Sequence, residues 1–168
     1  TPETSTRPEE RGYYYHDDHI LYFTCFDHNS GYPNGSSGTL KLIFNRGHVS
    51  SLGNEYKGRE FEHRNEKALP GFYAVQFNDG DKAEMTAAPH SGIIRYITYS
   101  DSTTLYIVDH NSALRVRDNQ TVFAKRKNAI MRFTVPFVSH CTYNDTLQLF
   151  FSGQDTISIE LMCSEQNL

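Results

Sequence analysis

Four titratable side chains stand in a row near the start of the chain, His16-Asp17-Asp18-His19, inside the stretch GYYYHDDHILYF. Imidazole and carboxylate groups ligate metals and move protons, so these residues are the first place to look for chemistry. Their spacing argues against it. If they continue the strand that follows, His16 and Asp18 share one face while Asp17 and His19 share the other, so a metal would gain one His and one carboxylate per face. No second ligand cluster completes such a site, and the four read as the solvated lip of the first core strand. A second set, Ser139-His140-Cys141, brings hydroxyl, imidazole and thiol together. Neighbours on a strand point to opposite faces, however, and cannot activate one another.

Other catalytic signatures are missing. The chain has no G-x-S-x-G elbow, no caspase-like or papain-like cysteine motif and neither phosphate-cradling glycine pattern. Hydrolytic chemistry would need partners distant in sequence, such as Asp109 or Asp118 with His90 or His110. No metal, catalytic residue or cofactor is assigned. Tyrosine supplies a different signal: Tyr13, Tyr14, Tyr15, Tyr32, Tyr56, Tyr96, Tyr99, Tyr106 and Tyr143 offer rigid apolar area with a polar tip. That suits recognition and sugar stacking, and it equally suits the packed faces of strands.

The elements that would carry these residues are strands. In DTISIELM, Ile157, Ile159 and Leu161 alternate with Ser158 and Glu160, the period of a half-buried strand. Similar runs span 39–44, 71–77 and 103–108, and further candidates cover 20–26, 93–99, 114–117, 121–124, 130–138 and 147–151. Turn clusters such as NRG, NDGD, SDS and SGQD separate them. About ten strands with such spacing predict an all-β antiparallel sandwich of jelly-roll type, or a closed barrel. Only REFEHRNEKAL, 59–69, has helical composition, enough for one or two turns before Pro70-Gly71 stops it. Residues 1–12 form a Pro/Thr/Glu-rich stretch, TPETSTRPEERG, without a large apolar side chain. They predict a flexible tail or a linker of a longer polypeptide, ahead of one domain over 13–168. The sequences DHNS at 27–30 and 109–112 follow apolar strands and read as side-chain-capped strand ends.

Bulk properties narrow the function classes. The 168 residues can bury one core, and the 11 Tyr and 11 Phe make it aromatic; Trp is absent. A net charge of -4 leaves no electrostatic footprint for specific nucleic-acid binding, and Lys125-Arg126-Lys127 reads as a solvated hairpin end. Cys25, Cys141 and Cys163 are too dispersed for zinc and read as reduced, buried thiols. No signal-peptide pattern opens the chain, and no apolar run approaches the roughly 18 residues of a membrane span. Three sequons, at Asn34, Asn119 and Asn144, are possible glycosylation sites.

One stretch resembles a known family. IMRFTVPFVSHCTY, Ile130 to Tyr143, is similar to a segment of picornavirus-like capsid jelly rolls through Val135, Pro136, Phe137 and Ser139. The resemblance implies a structural shell protein or its projecting domain, in a virion or extracellular. The leading expectation is therefore a non-catalytic assembly or recognition domain, attaching to a host protein or glycan or to neighbouring subunits as a homo-oligomer. Loops on a rigid sheet scaffold carry such contacts. The candidate contact surface is Tyr13, Tyr14, Tyr15, His16, His19, His28 and Tyr32. Two alternatives stand beside it: a secreted calycin-like barrel holding a small ligand, and a hydrolase with a His/Asp/Ser site assembled from separate strands.

Overall fold

A computed structural model describes residues 2–5, 12–25, 40–49, 56–109, 114–124 and 129–163. They form fifteen strands in two antiparallel sheets. The strands are β1 (Pro2–Glu3), β2 (His19–Ile20), β3 (Tyr22–Cys25), β4 (Leu40–Arg46), β5 (Arg59–Leu69), β6 (Phe72–Phe77), β7 (Lys82–Ala88), β8 (Ser91–Ile97), β9 (Ser102–Val108), β10 (Leu114–Asp118), β11 (Thr121–Ala124), β12 (Ala129–Phe133), β13 (Ser139–Tyr143), β14 (Thr146–Ser152) and β15 (Thr156–Cys163). The six-stranded sheet runs β1-β3-β4-β9-β14-β13, and the nine-stranded sheet runs β10-β11-β12-β15-β8-β7-β6-β5-β2. This is the all-β antiparallel sandwich that the alternation predicts. Two packed sheets, and not one closed sheet around a cavity, also set aside the calycin-like barrel.

Period-two alternation fills the space between the sheets. Leu40, Leu42 and Phe44 of β4, Leu105 and Ile107 of β9, and Leu147, Leu149 and Phe151 of β14 point inward from one sheet. From the other come Phe61, Val75, Phe77, Ile94, Tyr96, Met131, Ile157, Ile159 and Leu161. Phe44 and Tyr96 stack across the gap at 4.4 Å with an interplanar angle of 11°. Aromatic pairs of this kind add about 0.5–1.5 kcal/mol beyond their buried area.

Three local expectations need correction or placement. Residues 59–69 are strand β5 throughout, not a helix. Glu60, Glu62, Arg64 and Lys67 are exposed while Phe61 alone among its residues enters the core, so the pattern imitates helical composition, yet Pro70-Gly71 closes an antiparallel hairpin onto β6. Cys141 is exposed rather than buried because β13 is the outermost strand of its sheet; its thiol donates to Gln148 Oε1 at 3.1 Å. Within the segment read as a tail, Pro2–Glu3 pairs with Tyr22 and Phe23, and residues 2–5 are buried. No helix among the described residues is long and apolar enough to cross a membrane.

A buried ion-pair network locks the sheets together. Asp81, fully buried, precedes β7 and accepts from Arg46 Nη2 at 2.5 Å and Nε at 3.0 Å, and from Arg59 Nη2 at 2.9 Å. Tyr96 Oη donates to it at 2.5 Å, Thr98 Oγ1 at 3.3 Å and the Tyr99 amide at 3.1 Å. Arg46 comes from the six-stranded sheet, and every other partner comes from the nine-stranded one or its turns. Burial alone would raise the Asp81 carboxyl, but hydrogen bonds from Arg46, Tyr96, the Tyr99 amide and Arg59 outweigh it and hold it far below the usual carboxylate range. The network fixes Arg59, the first residue of β5, whose guanidinium lies 4.3 Å from the Phe77 ring centroid.

Candidate functional site

Four residues along from Arg59, β5 leaves regular pairing. Its register against β6 shifts between Phe61, opposite Phe77, and Glu66, opposite Val75. On an unbroken strand His63 and Glu66, three apart, would face opposite sides. The irregularity re-aims them, as β-bulges do, and His63 Nδ1 lies 2.6 Å from Glu66 Oε1. The preceding strap, Tyr13 to Tyr15, lies against this pair. Tyr13 Oη donates to Glu66 Oε1 at 2.8 Å and stands 3.2 Å from His63 Nδ1, while Tyr73 Oη of β6 donates to Glu66 Oε2 at 2.6 Å. Tyr15 stacks on the His63 ring at 4.1 Å and 16°, and it remains 66% exposed.

The Glu66 side chain is only 10% exposed, and both its oxygens accept hydrogen bonds. Burial, reinforced by the bond to Glu66, raises the pKa of the Tyr13 phenol and does the same for Tyr73. Both phenols thus stay protonated, as donors, through neutral pH. The cluster forms the polar end of a groove of about 870 Å³. Its apolar walls are Leu69, Phe72, Met85, Ala87, Ala88 and Pro89, from the β5–β6 and β7–β8 hairpins, and His90 also lines it. A carboxylate with aligned donors beside an exposed aromatic face is chemically suited to a polyhydroxylated ligand with one apolar face.

The residues singled out in the sequence scatter around this groove. Tyr13 and Tyr15 line it; Tyr14 is half-buried, with its amide on Thr4 Oγ1 at 2.8 Å. His16 lies in the turn before β2, its ring 6.4 Å from that of Tyr15. Asp17 accepts from Thr4 Oγ1 at 3.0 Å, and Asp18 pairs with His19 at 2.6 Å, which lowers the Asp18 pKa. The HDDH run is thereby divided between two local contacts. His28, Tyr32, Asn34, His110 and residues 125–127 lie outside the described residues. Asn119 and Asn144 occupy exposed hairpin turns; Asp109 is buried at the end of β9, and Asp118 is exposed at the end of β10, in the other sheet. His63, Glu66 and Tyr73 were not singled out. Residues 59–69 read in sequence as helical composition, and that reading hides the pairing of His63 with Glu66.

Comparison with known proteins then fixes the family relationship. The model of the glycosyl hydrolase family 92 N-terminal domain matches residues 1–155. Among solved structures, the chain is similar to the family GH92 inverting mannosidase from Bacteroides thetaiotaomicron VPI-5482, at 15% identity and a TM-score of 0.75 over 99% of this chain. It is also similar to the GH92 family glycosyl hydrolase ccman5, at 19% identity and a TM-score of 0.76 over 98% of this chain. The chain spans 27% and 28% of the length of those two structures. A search of curated proteins finds no match.

These findings overturn the capsid reading and what followed from it. A virion location and host attachment rested on Val135, Pro136, Phe137 and Ser139, the non-enzyme assignment also on the missing catalytic motifs, and the family match is to glycosidases. The physical content of that motif is generic. Backbone pairing of β12 ends at Phe133, and Pro136, which has no N–H to donate, sits where the chain crosses to β13 in the opposite sheet. Any sandwich needs such a crossing. Of the three readings, hydrolase is the one the family match favours.

Proposed function

This chain belongs to the glycosyl hydrolase family 92 N-terminal domain family, and from that premise we propose that it is the β-sandwich portion of a glycoside hydrolase acting on mannosides, with the Glu66 groove presented to the sugar. Two solved relatives support the reaction class, one being called an inverting mannosidase and the other a glycosyl hydrolase. The observation that carries the site is Glu66, a nearly buried carboxylate held by two tyrosine hydroxyls and an imidazole beside the exposed ring of Tyr15.

Cleavage of a glycosidic bond by inversion needs a carboxylic acid to protonate the leaving oxygen and a carboxylate to activate water on the opposite face of the ring. Glu66, with both oxygens engaged, is suited to orienting hydroxyls. Tyr15 supplies a flat surface for the apolar face of a pyranose, and His63 beneath it fixes the angle of that surface. The complete enzyme that contains this chain is the catalyst, and the groove contributes to binding and orientation.

The test is a steady-state assay of the complete enzyme on aryl mannosides and mannose disaccharides. Glu66→Gln is expected to raise KM about 10- to 100-fold, since hydrogen bonds involving a charged group contribute about 1.5–3 kcal/mol, and Tyr15→Ala is expected to raise KM by removing the stacking surface. Absence of turnover on every mannoside would overturn the reaction class. Unchanged KM in both variants would overturn the placement of the sugar.

A further inference from the structure

Two of the side chains at the Glu66 cluster come from the strap 13–15, which belongs to none of the fifteen strands. Tyr13 Oη reaches Glu66, Tyr15 lies on the His63 ring, and Tyr14 stands between them. Both rings arrive together only if the backbone at Tyr14 is fixed, and both of its backbone polar groups are bonded. The Tyr14 amide donates to Thr4 Oγ1 at 2.8 Å, and its carbonyl accepts from the Asp17 amide at 3.1 Å. The Thr4 hydroxyl has one hydrogen to give. Its shortest acceptor is Asp17 Oδ2 at 3.0 Å, while the carbonyls of Gly12 and Tyr14 stand at 3.5 Å. One oxygen thus receives from Tyr14 and gives to Asp17, which closes a ring of bonds around the turn 14–17. Thr4 is itself buried and held in place. Its amide donates to the Gly12 carbonyl at 3.0 Å, and the residues before it pair with β3, Pro2 with Phe23 and Glu3 with Tyr22.

From this clamp we infer that Thr4 is a positioning residue for the mannoside site: its hydroxyl sets where Tyr13 meets Glu66 and where Tyr15 covers His63. The inference rests on the function proposed above. Thr4 does not line the groove, so any effect of its hydroxyl on a bound sugar passes through the strap. The strap is open to such control. Tyr15 leaves most of its surface exposed, so packing does little to place its ring and the backbone on either side of it does more. Tyr13 bonds a carboxylate fifty-three residues away, and a shift of the strap along β5 breaks that bond first. A hydroxyl at a buried position costs desolvation, which the bonds to Tyr14 and Asp17 offset. Valine fills the same space without that cost and without the clamp.

Kinetics of the complete enzyme on aryl mannosides and hydrogen exchange without substrate test this. Thr4→Val is expected to raise KM about 2- to 10-fold, the worth of one neutral hydrogen bond, with kcat little changed because the groove binds and orients. Thr4→Ser, which keeps the hydroxyl, is expected to restore the parent KM. In a Tyr13→Phe/Tyr15→Ala background, Thr4→Val is expected to add nothing to KM, since the contacts it positions are gone; a general loosening of the fold would still add its penalty. Asp17→Ala removes the acceptor of the hydroxyl at a half-buried position, is expected to raise KM likewise, and serves where Thr4→Val does not fold. Exchange is read at the Asp17 amide, whose own acceptor, the Tyr14 carbonyl, no substitution touches. In Thr4→Val it is expected to exchange about 2- to 10-fold faster, and in Thr4→Ser at the parent rate. Absence of turnover on every mannoside would overturn the substrate class, and the exchange rate would then decide on Thr4 by itself. An unchanged Asp17 rate overturns the role of Thr4, as does an unchanged KM on a mannoside that is turned over, or an equal KM penalty in the doubly substituted background.

Discussion

Replacing Asp81 with Asn removes one charge from a site that is fully buried and supplied by six donor groups. The amide keeps one acceptor oxygen, but its NH2 group now meets guanidinium and phenol donors where a carboxylate oxygen stood. Arg59, with only a tenth of its side chain exposed, is left with the half-exposed Asp79 as its carboxylate partner. Removing one partner of a buried ion pair costs about 3–5 kcal/mol. For a domain of this size each kcal/mol moves Tm by about 2–4 °C, so the loss expected at pH 7 is about 6–20 °C. The effect has a pH signature. Because the folded Asp81 carboxyl lies far below its unfolded value, its contribution is fully present above the unfolded value of about 3.9 and is lost as pH falls toward the folded value. Thermal melts of both proteins from pH 7 to pH 2 are therefore expected to differ most at neutral pH and to converge below about pH 4. A variant within about 0.5 kcal/mol of the parent at pH 7 would refute the buried-pair reasoning. A gap that stays constant down to pH 2 would refute the assignment of the effect to the Asp81 charge.

Three further outcomes follow from the packing. Gly58 has φ of 87°, and a Cβ there would stand 2.7 Å from the Ile20 carbonyl oxygen, so Gly58→Ala is expected to cost at least about 2 kcal/mol in urea unfolding. Phe151 is fully buried between the sheets, and Phe151→Ala is expected to lower stability by about 3–5 kcal/mol with an unchanged far-ultraviolet spectrum. Tyr73→Phe removes one donor from Glu66 and is expected to cost about 1.5–3 kcal/mol, read in the same unfolding experiment.

The sandwich was legible because alternation is written directly into strands whose outer face meets water. Ile157, Ile159 and Leu161 declare their strand, and all three are buried. Alternation fails where both faces are wet. β5 buries Phe61 alone among eleven residues, and β13 buries nothing, so neither carries the pattern. The charged residues of β5 then imitate the composition of a helix. What fixes it as a strand is tertiary: a hairpin turn at Pro70-Gly71, pairing with β2 and β6, and the anchor of Arg59 on Asp81.

The candidate site was illegible for a related reason. His63 and Glu66 are three residues apart, a spacing that pairs side chains on a helix and separates them on a strand. Only the register break in β5 brings them within 2.6 Å, and nothing in the residue types at 61–66 specifies that break. Tyr13 and Tyr15 were visible as aromatic residues, but their partners lie some fifty residues away, joined to them only when β2 pairs with the first residues of β5. Pairing of His19 with Glu60 and of Ile20 with Arg59 sets how far the strap reaches along β5. The site thus depends on the strand pairing that Gly58 permits by its close approach to Ile20, and on the anchor at Arg59. A substitution at Gly58 or Asp81 that leaves the protein folded is therefore expected to displace Tyr13 from Glu66 and to weaken the mannoside binding proposed for the groove, although neither residue lines it. Measuring KM in such a variant separates a site built by backbone placement from one built by its side chains alone.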